Sequence, residues 1–369
     1  MKIHAAVLTK VQTPLQITTV ELESPRAHEV LVRLHASGVC HSDISTITGK
    51  IGSKLPAILG HEGAGIVEEI GAGVTRVKPG DHVVLSWNPH CGICEECQRE
   101  LPHLCTAAWA GMFEGGLLDG TSRLRWNNEQ LYHYSMVSSF AECAVVAEGS
   151  CIRIKKDIPL DVASLVGCAV TTGVGAVWNT AQVRPGERVA VFGCGGVGLS
   201  AVLGAVAVGA APIIAVDRRT DKLEAALRLG ATDTVLWNES PEATAEAIIK
   251  VSQGGVDYAL DAVGSPEILR AAFLATRRRG AAVAIGIPRQ DDELRLPAIT
   301  IPRMERRVLG SIYGSARPER DFPMILDQYM RGRLPLDKLI SHRMPLERVQ
   351  EAVELVMAGA PVRAVLELV

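Results

Sequence analysis

Aromatic side chains are scarce in this chain, and charge of neither sign dominates it. Phenylalanine, tryptophan and tyrosine make up 4% of the 369 residues, and the formal net charge is −3 at a pI of about 6.4. Proteins that bind nucleic acid or anionic lipid through electrostatic attraction carry a basic surface. We therefore expect no nucleic-acid partner and no membrane partner.

The chain also lacks a recognisable export signal and an uninterrupted membrane span. Met1–Lys10 contains only a short apolar run before a polar stretch. Val189–Val216 carries no charge and is long enough to cross a bilayer, but six glycines and Pro212 interrupt it. A buried strand, turn, helix and second strand explain this stretch better. We expect a soluble cytoplasmic protein whose nine cysteines stay reduced.

The pattern of apolar residues changes twice along the chain, which is long enough for two domains. The first third has short Val, Leu and Ile runs that Gly and Pro interrupt, as in a β-rich domain. From about Thr171, apolar strands alternate with helical stretches, which is typical of a doubly wound parallel sheet. After about Tyr313 the pattern changes again. We predict a β-rich domain over 1–169 and 313–369, interrupted by an α/β domain over 170–312.

Several individual elements follow from this periodicity. The predicted strands are Val30–Leu34, Gly65–Ile70, Arg188–Phe192, Ile213–Val216, Tyr258–Asp261, Ala281–Gly286 and Val362–Leu368. The predicted helices are Asp221–Leu229, Pro266–Thr276 and Leu346–Met357.

A glycine-rich motif follows the first strand of the α/β stretch. Residues 188–198 read RVAVFGCGGVG, a buried strand that leads through Gly193, Gly195, Gly196 and Gly198 into an apolar helix. Such glycines let a pyrophosphate approach the helix N-terminus. The next strand ends in Asp217, where a carboxylate would hold the adenosine ribose. The arrangement predicts NAD(H), although the adjacent Arg218 and Arg219 could accommodate a 2′-phosphate.

Four cysteines lie within one short polar segment. Residues 91–105 read CGICEECQRELPHLC, which places four thiols at a density typical of a closed tetrahedral zinc site. A nucleic-acid-binding finger would need a second metal knuckle and a basic surface, whereas this segment carries three glutamates. We predict a structural zinc ion on Cys91, Cys94, Cys97 and Cys105.

A second set of metal ligands is dispersed along the chain. Cys40 lies in GVCHSD, His61 in GHEGAG and Cys168 in GCAVTTG, each beside glycine or small residues. Two thiolates and one imidazole leave zinc one open coordination position. The catalytic zinc site of alcohol dehydrogenase has this ligand set. Asp43 and Glu62 are adjacent to these ligands and are candidates for orienting His61.

These segments together resemble the zinc-containing medium-chain alcohol dehydrogenases, especially the long branch that includes class III, the glutathione-dependent formaldehyde dehydrogenases, and its bacterial relatives. The resemblance covers nearly the whole chain, with GVCHSD, LGHEGAGIVEEIGAGV, the cysteine segment, LLDGTSR, GCAVTTG, FGCGGVGLS, AVDRRTDKLEAALRLGAT and VRAVLEL as its motifs. It implies a GroES-like catalytic domain and a Rossmann domain, with two zinc ions and NAD(H) per chain. It also implies a homodimer or homotetramer.

The resemblance implies roles for further residues. Ser42 would hand the substrate proton to the cofactor ribose, and His41 and Arg363 would contact the pyrophosphate. Lys222 would contact the adenosine ribose beside Asp217. The remaining cofactor residues would be Val197, Arg218, Ile285 and Ile287, and the substrate pocket would be lined by Trp87, Trp109, Tyr134, Ile312 and Tyr313.

Two departures from the family pattern bear on the substrate and the proton path. Ser45 stands where many relatives have His or Tyr at the end of the proton relay, so the proton would leave through Ser45 and water. The loop Lys50–Leu59 has no acid, and Trp109 stands where the formaldehyde enzymes have an arginine for glutathione. We therefore expect interconversion of a hydrophobic or aromatic primary alcohol and its aldehyde with NAD(H), through a zinc-bound alkoxide and hydride transfer.

Three alternatives remain at this stage. The chain could be an S-(hydroxymethyl)glutathione (formaldehyde) dehydrogenase, or a nicotinoprotein that retains NAD(H) and uses an external acceptor. A zinc-binding regulatory protein is the alternative without catalysis. The acidic cysteine segment, the acidic pI and the relay serine argue against that last possibility.

Overall fold

Two units of different secondary structure make up the chain in the computed structural model, which describes residues 1–238, 240–359 and 363–368. Unit 1 comprises Met1–Cys168, Arg317–Arg331 and Ile340–Val369, and unit 2 comprises Ala169–Ala316 and Gly332–Leu339.

Unit 1 is built on β-strands. Its strands are β1 (Lys2–Leu8), β2 (Gln16–Leu22), β3 (Glu29–Gly38), β4 (Ala57–Ile58), β5 (Glu62–Ile70), β6 (His82–Leu85), β7 (Leu124–Trp126), β8 (Glu129–His133), β9 (Cys143–Ala147), β10 (Cys151–Ile154), β17 (Ile340–Pro345) and β18 (Arg363–Glu367). Its helices are α1 (His41–Ile47), α2 (Glu95–Gln98), α3 (Thr106–Glu114), α4 (Leu160–Ser164), α11 (Pro318–Met330) and α12 (Val349–Met357).

The strands of unit 1 form a closed barrel and a sheet. The barrel has the order β1-β2-β7-β8-β4, and the sheet has the order β10-β6-β5-β3-β18-β17 with β9 also paired to β3. The central strand β3 pairs with β5, β9 and β18 and is buried over most of its length. Its Val and Leu side chains pack well there because β-branched and other apolar residues fit a buried pleated surface.

Unit 2 is a doubly wound sheet. Its strands β11 (Val189–Phe192), β12 (Ile213–Asp217), β13 (Asp233–Leu236), β14 (Val256–Asp261), β15 (Thr276–Ala284) and β16 (Arg307–Gly310) are all parallel, in the order β13-β12-β11-β14-β15-β16. Its helices are α5 (Ala169–Gly175), α6 (Gly196–Ala207), α7 (Thr220–Arg228), α8 (Pro241–Val251), α9 (Pro266–Ala275) and α10 (Thr300–Met304). The inner strands β11, β12 and β14 are largely apolar and buried, because a parallel sheet is covered on both faces. Strand β15 has three exposed arginines near its start, and the edge strands β13 and β16 are more exposed. The predicted Rossmann-type fold class is confirmed.

The uncharged stretch Val189–Val216 forms β11, α6 and most of β12. This is the strand, turn, helix and second strand that the sequence predicts. No single helix of the described residues is long and apolar enough to cross a membrane. One pair of helical segments, Leu160–Gly167 and Ala169–Ala181, meets the length and composition test only when its 59° bend is ignored.

The second boundary between the units differs from the expected position between residues 312 and 313. Unit 2 continues to Ala316 because the turn at Tyr313–Ser315 is tied to that unit. The side-chain amide of Asn179 donates to the Gly314 carbonyl at 3.1 Å, and the hydroxyls of Thr180 and Ser315 lie 2.8 Å apart. Gly332–Leu339 also belongs to unit 2, although the apolar pattern of the sequence placed these residues in the β-rich domain.

Candidate zinc and cofactor sites

The pairing of β3 with β5 brings two of the dispersed ligands together. Gly38 at the end of β3 lies opposite Glu62 at the start of β5. Cys40 follows the first strand and His61 precedes the second, so both side chains lie at the same edge of the sheet. The 3₁₀ turn Leu165–Gly167 packs against β5 and delivers the third ligand, Cys168.

The donor atoms of this set fit a single metal ion. The sulfurs of Cys40 and Cys168, a ring nitrogen of His61 and a carboxylate oxygen of Glu62 all lie within 4.8 Å of one another. Cys40, His61 and Glu62 are buried, and Cys168 is half-buried. Two sulfurs and an imidazole are typical ligands of zinc, whereas Mg²⁺ and Ca²⁺ prefer oxygen ligands.

Asp43 fixes the orientation of His61. Its Oδ1 lies 3.1 Å from His61 Nδ1, which leaves Nε2 for a metal. The same carboxylate accepts the backbone N–H groups of Cys40 at 2.8 Å and Gly60 at 3.2 Å. Because Asp43 is itself held by these amides, the imidazole it contacts has little rotational freedom.

The three ligands influence one another's protonation. A hydrogen bond with Cys168 lowers the pKa of Cys40 well below its usual range, and the same bond together with burial raises the pKa of Cys168. Burial alone would lower the pKa of His61, but the charges of Asp43 and Cys40 raise it well above its usual value. A bound cation would take the place of the protons that these groups share, because metal ligation requires deprotonated donors.

Glu62 pairs with Arg363. Because β18 lies antiparallel to β3, with Val365 opposite Gly38, Arg363 reaches the same edge of the sheet. Its guanidinium forms a buried ion pair with the Glu62 carboxylate. Burial raises the pKa of Glu62 to about 7, although the charge of Arg363 opposes the shift. The buried Nε of Arg363 has no hydrogen-bond partner within the described residues, so it remains able to donate to an anion.

Of the four residues expected in proton transfer and pyrophosphate binding, Arg363 lies on β18, and the other three lie on α1. His41 is exposed at the first position of the helix, and Ser42 and Ser45 are half-buried. The Ser42 hydroxyl lies 3.9 Å from the Cys40 sulfur, beside the candidate metal site. The structure thus places Ser42 next to the metal ligands, and Ser45 one helical turn further along.

The four cysteines of segment 91–105, called the cysteine lobe from here on, also lie close together. Their sulfurs lie within 4.8 Å of one another. The backbone amides of Cys91 and Cys94 donate to the sulfurs of Cys105 and Cys91 at 3.3 and 3.4 Å. Hydrogen bonds from backbone amides lower the pKa of Cys94 to about 6, which favours a thiolate. A four-sulfur cluster of this kind is compatible with a closed structural zinc site.

The glycines at the N-terminus of α6 leave room for a dinucleotide. Gly193 has a φ of +86°, and a Cβ on Gly198 would lie 1.7 Å from the Gly193 carbonyl oxygen, so folding itself requires both glycines. A Cβ on Gly195 would meet nothing within 4 Å. That open space, beside the first amides of a 12-residue helix, suits the close approach of a pyrophosphate.

Asp217 lies at the carboxyl end of β12, beside the glycine turn. Its carboxylate accepts the backbone N–H groups of Cys194 at 2.8 Å and Arg219 at 3.0 Å, which fixes its position for a ribose diol. The guanidinium of Arg219 pairs with Asp221 at 2.7 Å, so this arginine already has an anionic partner. Among the other expected cofactor residues of unit 2, Arg218 and Ile287 are exposed, Gly196, Val197 and Lys222 are half-buried, and Ile285 is buried.

The expected pocket residues of unit 1 have distinct surroundings. Trp87 is buried just after β6. Trp109 lies on α3, and its ring stacks on Phe113 with 6.3 Å between the centroids. Tyr134 is buried, with its ring edge-on to His61. In unit 2, Ile312 is half-buried and Tyr313 is buried.

Models of two protein families match this chain. The alcohol dehydrogenase GroES-like domain matches residues 26–156, and the zinc-binding dehydrogenase domain matches residues 196–330. These matches cover most of unit 1's barrel and sheet and most of unit 2, respectively.

Two relatives and two solved structures extend the likeness to the whole chain. The chain is 38% identical to the alcohol dehydrogenase class-3 of Myxine glutinosa, over 99% of this chain and 97% of that protein. It is 39% identical to the S-(hydroxymethyl)glutathione dehydrogenase of a Synechocystis strain, over 99% and 100%. An alcohol dehydrogenase zinc-binding domain protein from Burkholderia ambifaria has a TM-score of 0.96 at 35% identity, over 100% of this chain and 99% of that chain. The benzyl alcohol dehydrogenase of Acinetobacter calcoaceticus has a TM-score of 0.95 at 32% identity, over 100% of both chains.

Proposed function

We propose, from the premise that this chain belongs to the zinc-containing medium-chain alcohol dehydrogenases, that it interconverts a hydrophobic primary alcohol and its aldehyde with NAD(H). The observation that supports the chemistry most directly is the buried Cys40–His61–Cys168 donor set, whose imidazole Asp43 holds in place. When bound, zinc supplies a Lewis acid that acidifies a hydroxyl and polarises a carbonyl, and NAD(H) supplies the hydride acceptor or donor.

The chain's own residues position these groups and move the proton. Cys40, His61 and Cys168 would hold the catalytic zinc and leave one position for substrate. Ser42 would accept the hydroxyl proton during alcohol oxidation and return it during aldehyde reduction, as general acid–base catalysis requires. Ser45 would pass that proton to water.

Each unit, taken by itself, contains candidate cofactor-binding residues. In unit 2, the α6 N-terminus would hold the pyrophosphate, and Asp217 and Lys222 the adenosine ribose. In unit 1, His41 and Arg363 would donate to the pyrophosphate. The buried and unpartnered Nε of Arg363 supports this role, because a buried donor without a partner is costly unless a ligand completes its hydrogen bonding.

The substrate class rests on the residues near the expected glutathione positions. The loop Lys50–Leu59 contains no acidic residue. Its Lys54 forms an ion pair with Glu114 of α3. Trp109, stacked on Phe113, is apolar where an arginine would bind a carboxylate. With Trp87, Ile312 and Tyr313, these residues favour an apolar substrate body, which gains about 25 cal/mol per Å² of buried apolar area. The aromatic alcohol in the name of the similar Acinetobacter enzyme supports the same class.

The S-(hydroxymethyl)glutathione adduct is the second candidate substrate, because the similar Synechocystis relative is named for that adduct. The deciding experiment compares kcat/KM for benzyl alcohol, hexanol and the adduct with free NAD⁺. We expect kcat/KM for the two alcohols to exceed that for the adduct by about 10-fold or more. A higher value for the adduct would establish the second candidate instead.

Two further measurements test the mechanism and the state of the cofactor. Ser42→Ala should lower kcat by about 10²- to 10⁴-fold, whereas Ser24→Ala, at an exposed position between β2 and β3, should leave it unchanged. The absorption spectrum of the purified protein before NAD⁺ is added distinguishes exchangeable NAD(H) from the permanently bound cofactor of a nicotinoprotein.

We also propose that two copies associate through β16. This strand is at the end of the six-stranded sheet of unit 2, and its outer edge has backbone groups that can pair with another strand. Val308 on the strand and Ile299 and Ile301 near it are large apolar side chains that are exposed in one copy. Antiparallel pairing of two β16 strands about a twofold axis would cover them.

A further inference from the structure

The imidazole of His61 has a second neighbour besides Asp43. The ring of Tyr134 lies edge-on to it, with 5.7 Å between the ring centroids and 69° between the planes. This T-shaped arrangement directs the positive edge of one ring at the negative face of the other and has a preferred geometry. Tyr134 is only 7% exposed, so most of its surface is in contact with protein.

The hydroxyl of Tyr134 is held from the same helix that holds His61. The Thr46 hydroxyl donates to the Tyr134 hydroxyl at 3.2 Å. Thr46 and Asp43 lie three residues apart on α1, a spacing that places both side chains on one face of the helix, and both are buried. Helix α1 therefore contacts the imidazole by two routes, directly through Asp43 and indirectly through Thr46 and Tyr134.

The backbone around Tyr134 is fixed as well. Its N–H donates to the Ser138 hydroxyl at 2.9 Å, and its carbonyl accepts the amides of Val137 and Ser138 at 3.1 Å. Ser135, Met136 and Ser138 all have φ near +50°, in the left-handed region. Non-glycine residues keep such conformations only where the surrounding structure holds them, so this turn places the Tyr134 ring at one position.

We propose that Tyr134 is a positioning residue that, together with Thr46, holds the His61 imidazole in the orientation required for zinc binding. The inference rests on the proposed function to the extent that His61 is taken as a zinc ligand. It assigns Tyr134 to metal retention and turnover, in place of the pocket wall expected from the sequence. Thr46, which no sequence motif singles out, becomes part of the same arrangement.

The test measures zinc release from the holoenzyme to a chromophoric chelator, in which the two zinc sites are resolved as two kinetic phases. In Tyr134→Leu we expect one phase to become about 10- to 100-fold faster and the other to stay unchanged, since residues that orient metal ligands affect metal affinity by this factor. The same variant should have a lower kcat and an unchanged KM for hexanol. Tyr132→Leu is the matched control, because its ring faces Lys54 at 5.8 Å.

Two milder variants isolate the hydroxyl bond. Tyr134→Phe and Thr46→Val keep the ring and remove one partner each, and both should accelerate the same phase by a smaller and similar factor. The double variant should match the single variants, because the two residues act through one bond. These variants decide the question if Tyr134→Leu does not fold.

Other results would overturn the proposal. Wild-type release rates in Tyr134→Leu with a raised KM for hexanol would show that Tyr134 is a substrate wall. Wild-type release rates in both Tyr134→Phe and Thr46→Val would show that their bond does not position His61. Lack of alcohol oxidation by the wild-type enzyme would refute the proposed function, but the comparison of zinc release would still decide the role of Tyr134.

Discussion

His133 is an ionisable residue whose burial has a consequence for stability. It lies at the end of β8, and its Nε2 accepts the backbone N–H of Arg123 at 3.3 Å. Its Nδ1 is buried and has no hydrogen-bond partner among the residues that the structure describes. Burial, and secondarily the charge of Arg123, lower the pKa of His133 to about 3.

The lowered pKa of His133 predicts acid sensitivity. An unfolded histidine has a pKa of about 6.5, so between about pH 6.5 and 3 the unfolded state binds a proton that the folded state does not. The free energy of unfolding should therefore fall by up to about 1.4 kcal/mol per pH unit below pH 6.5, and be insensitive to this residue above it. His133→Asn should remove this part of the slope in urea unfolding at fixed free zinc, whereas His28→Asn at an exposed site should retain it. A slope equal to that of the wild type in His133→Asn would contradict the assignment.

Asp217 should determine the choice between NAD(H) and NADP(H). Its fixed carboxylate would accept hydrogen bonds from the hydroxyls of a ribose diol and would repel a 2′-phosphate. We expect Asp217→Gly to shift the ratio of kcat/KM for NADP⁺ to that for NAD⁺ by about 10- to 100-fold toward NADP⁺, since hydrogen bonds to charged groups contribute about 1.5–3 kcal/mol. Adding Asp221→Ala should increase the shift by releasing Arg219.

Glu224→Ala, which removes one charge from the exposed face of α7, is the control for that experiment and should leave the ratio unchanged. A native enzyme that used NADP⁺ more efficiently than NAD⁺ would show that Asp217 does not have this role.

At the scale of structural elements, the cysteine lobe should depend on its metal. Its helix α2 has four residues, and none of them is buried, so apolar packing supplies little of its stability. Cys97→Ser should lower the zinc content from two ions per chain to one and lower the melting temperature, because a structural zinc contributes folding free energy. Cys143→Ser, a change of the same kind in the buried strand β9, should keep two ions.

Elemental analysis and thermal unfolding of both variants are the measurements. A Cys97→Ser protein with two zinc ions and the melting temperature of the wild type would rule out the lobe as a metal site. His61→Ala should instead abolish turnover and retain the zinc ion of the cysteine lobe, because the two sets of candidate ligands share no residue.

At the scale of the whole molecule, the open edge of β16 predicts association of two copies. Val308 is 42% exposed on this edge strand, and a lysine there would place charge within the proposed pairing. Val308→Lys should halve the mass measured by light scattering. Leu236→Lys, on the opposite edge strand β13, replaces a residue that is 52% exposed and should leave the mass unchanged. A wild-type protein that is monomeric at micromolar concentration would contradict the pairing.

Local features of the amino-acid sequence determined most of the secondary structure of unit 2 and two chemical motifs, one in each unit. The predicted strands Ile213–Val216 and Tyr258–Asp261 lie within β12 and β14, because parallel strands buried on both faces are continuous apolar runs. The lobe cysteines and the glycine turn were predictable because their members lie within 15 residues of one another or fewer, so spacing alone limits their geometry. Short helices such as α2 and α10 were missed, since a single turn has no apolar periodicity.

Side-chain partnerships between distant segments were decided only by the tertiary structure. Sequence adjacency made both Asp43 and Glu62 candidates for orienting His61, but the register of β3 with β5 and β18 brings Glu62 to Arg363, 301 residues away. The bond between Thr46 and Tyr134 spans 88 residues and belongs to no motif. Periodicity specifies which face of an element is buried, whereas strand register and the packing of loops determine which polar groups meet on that face.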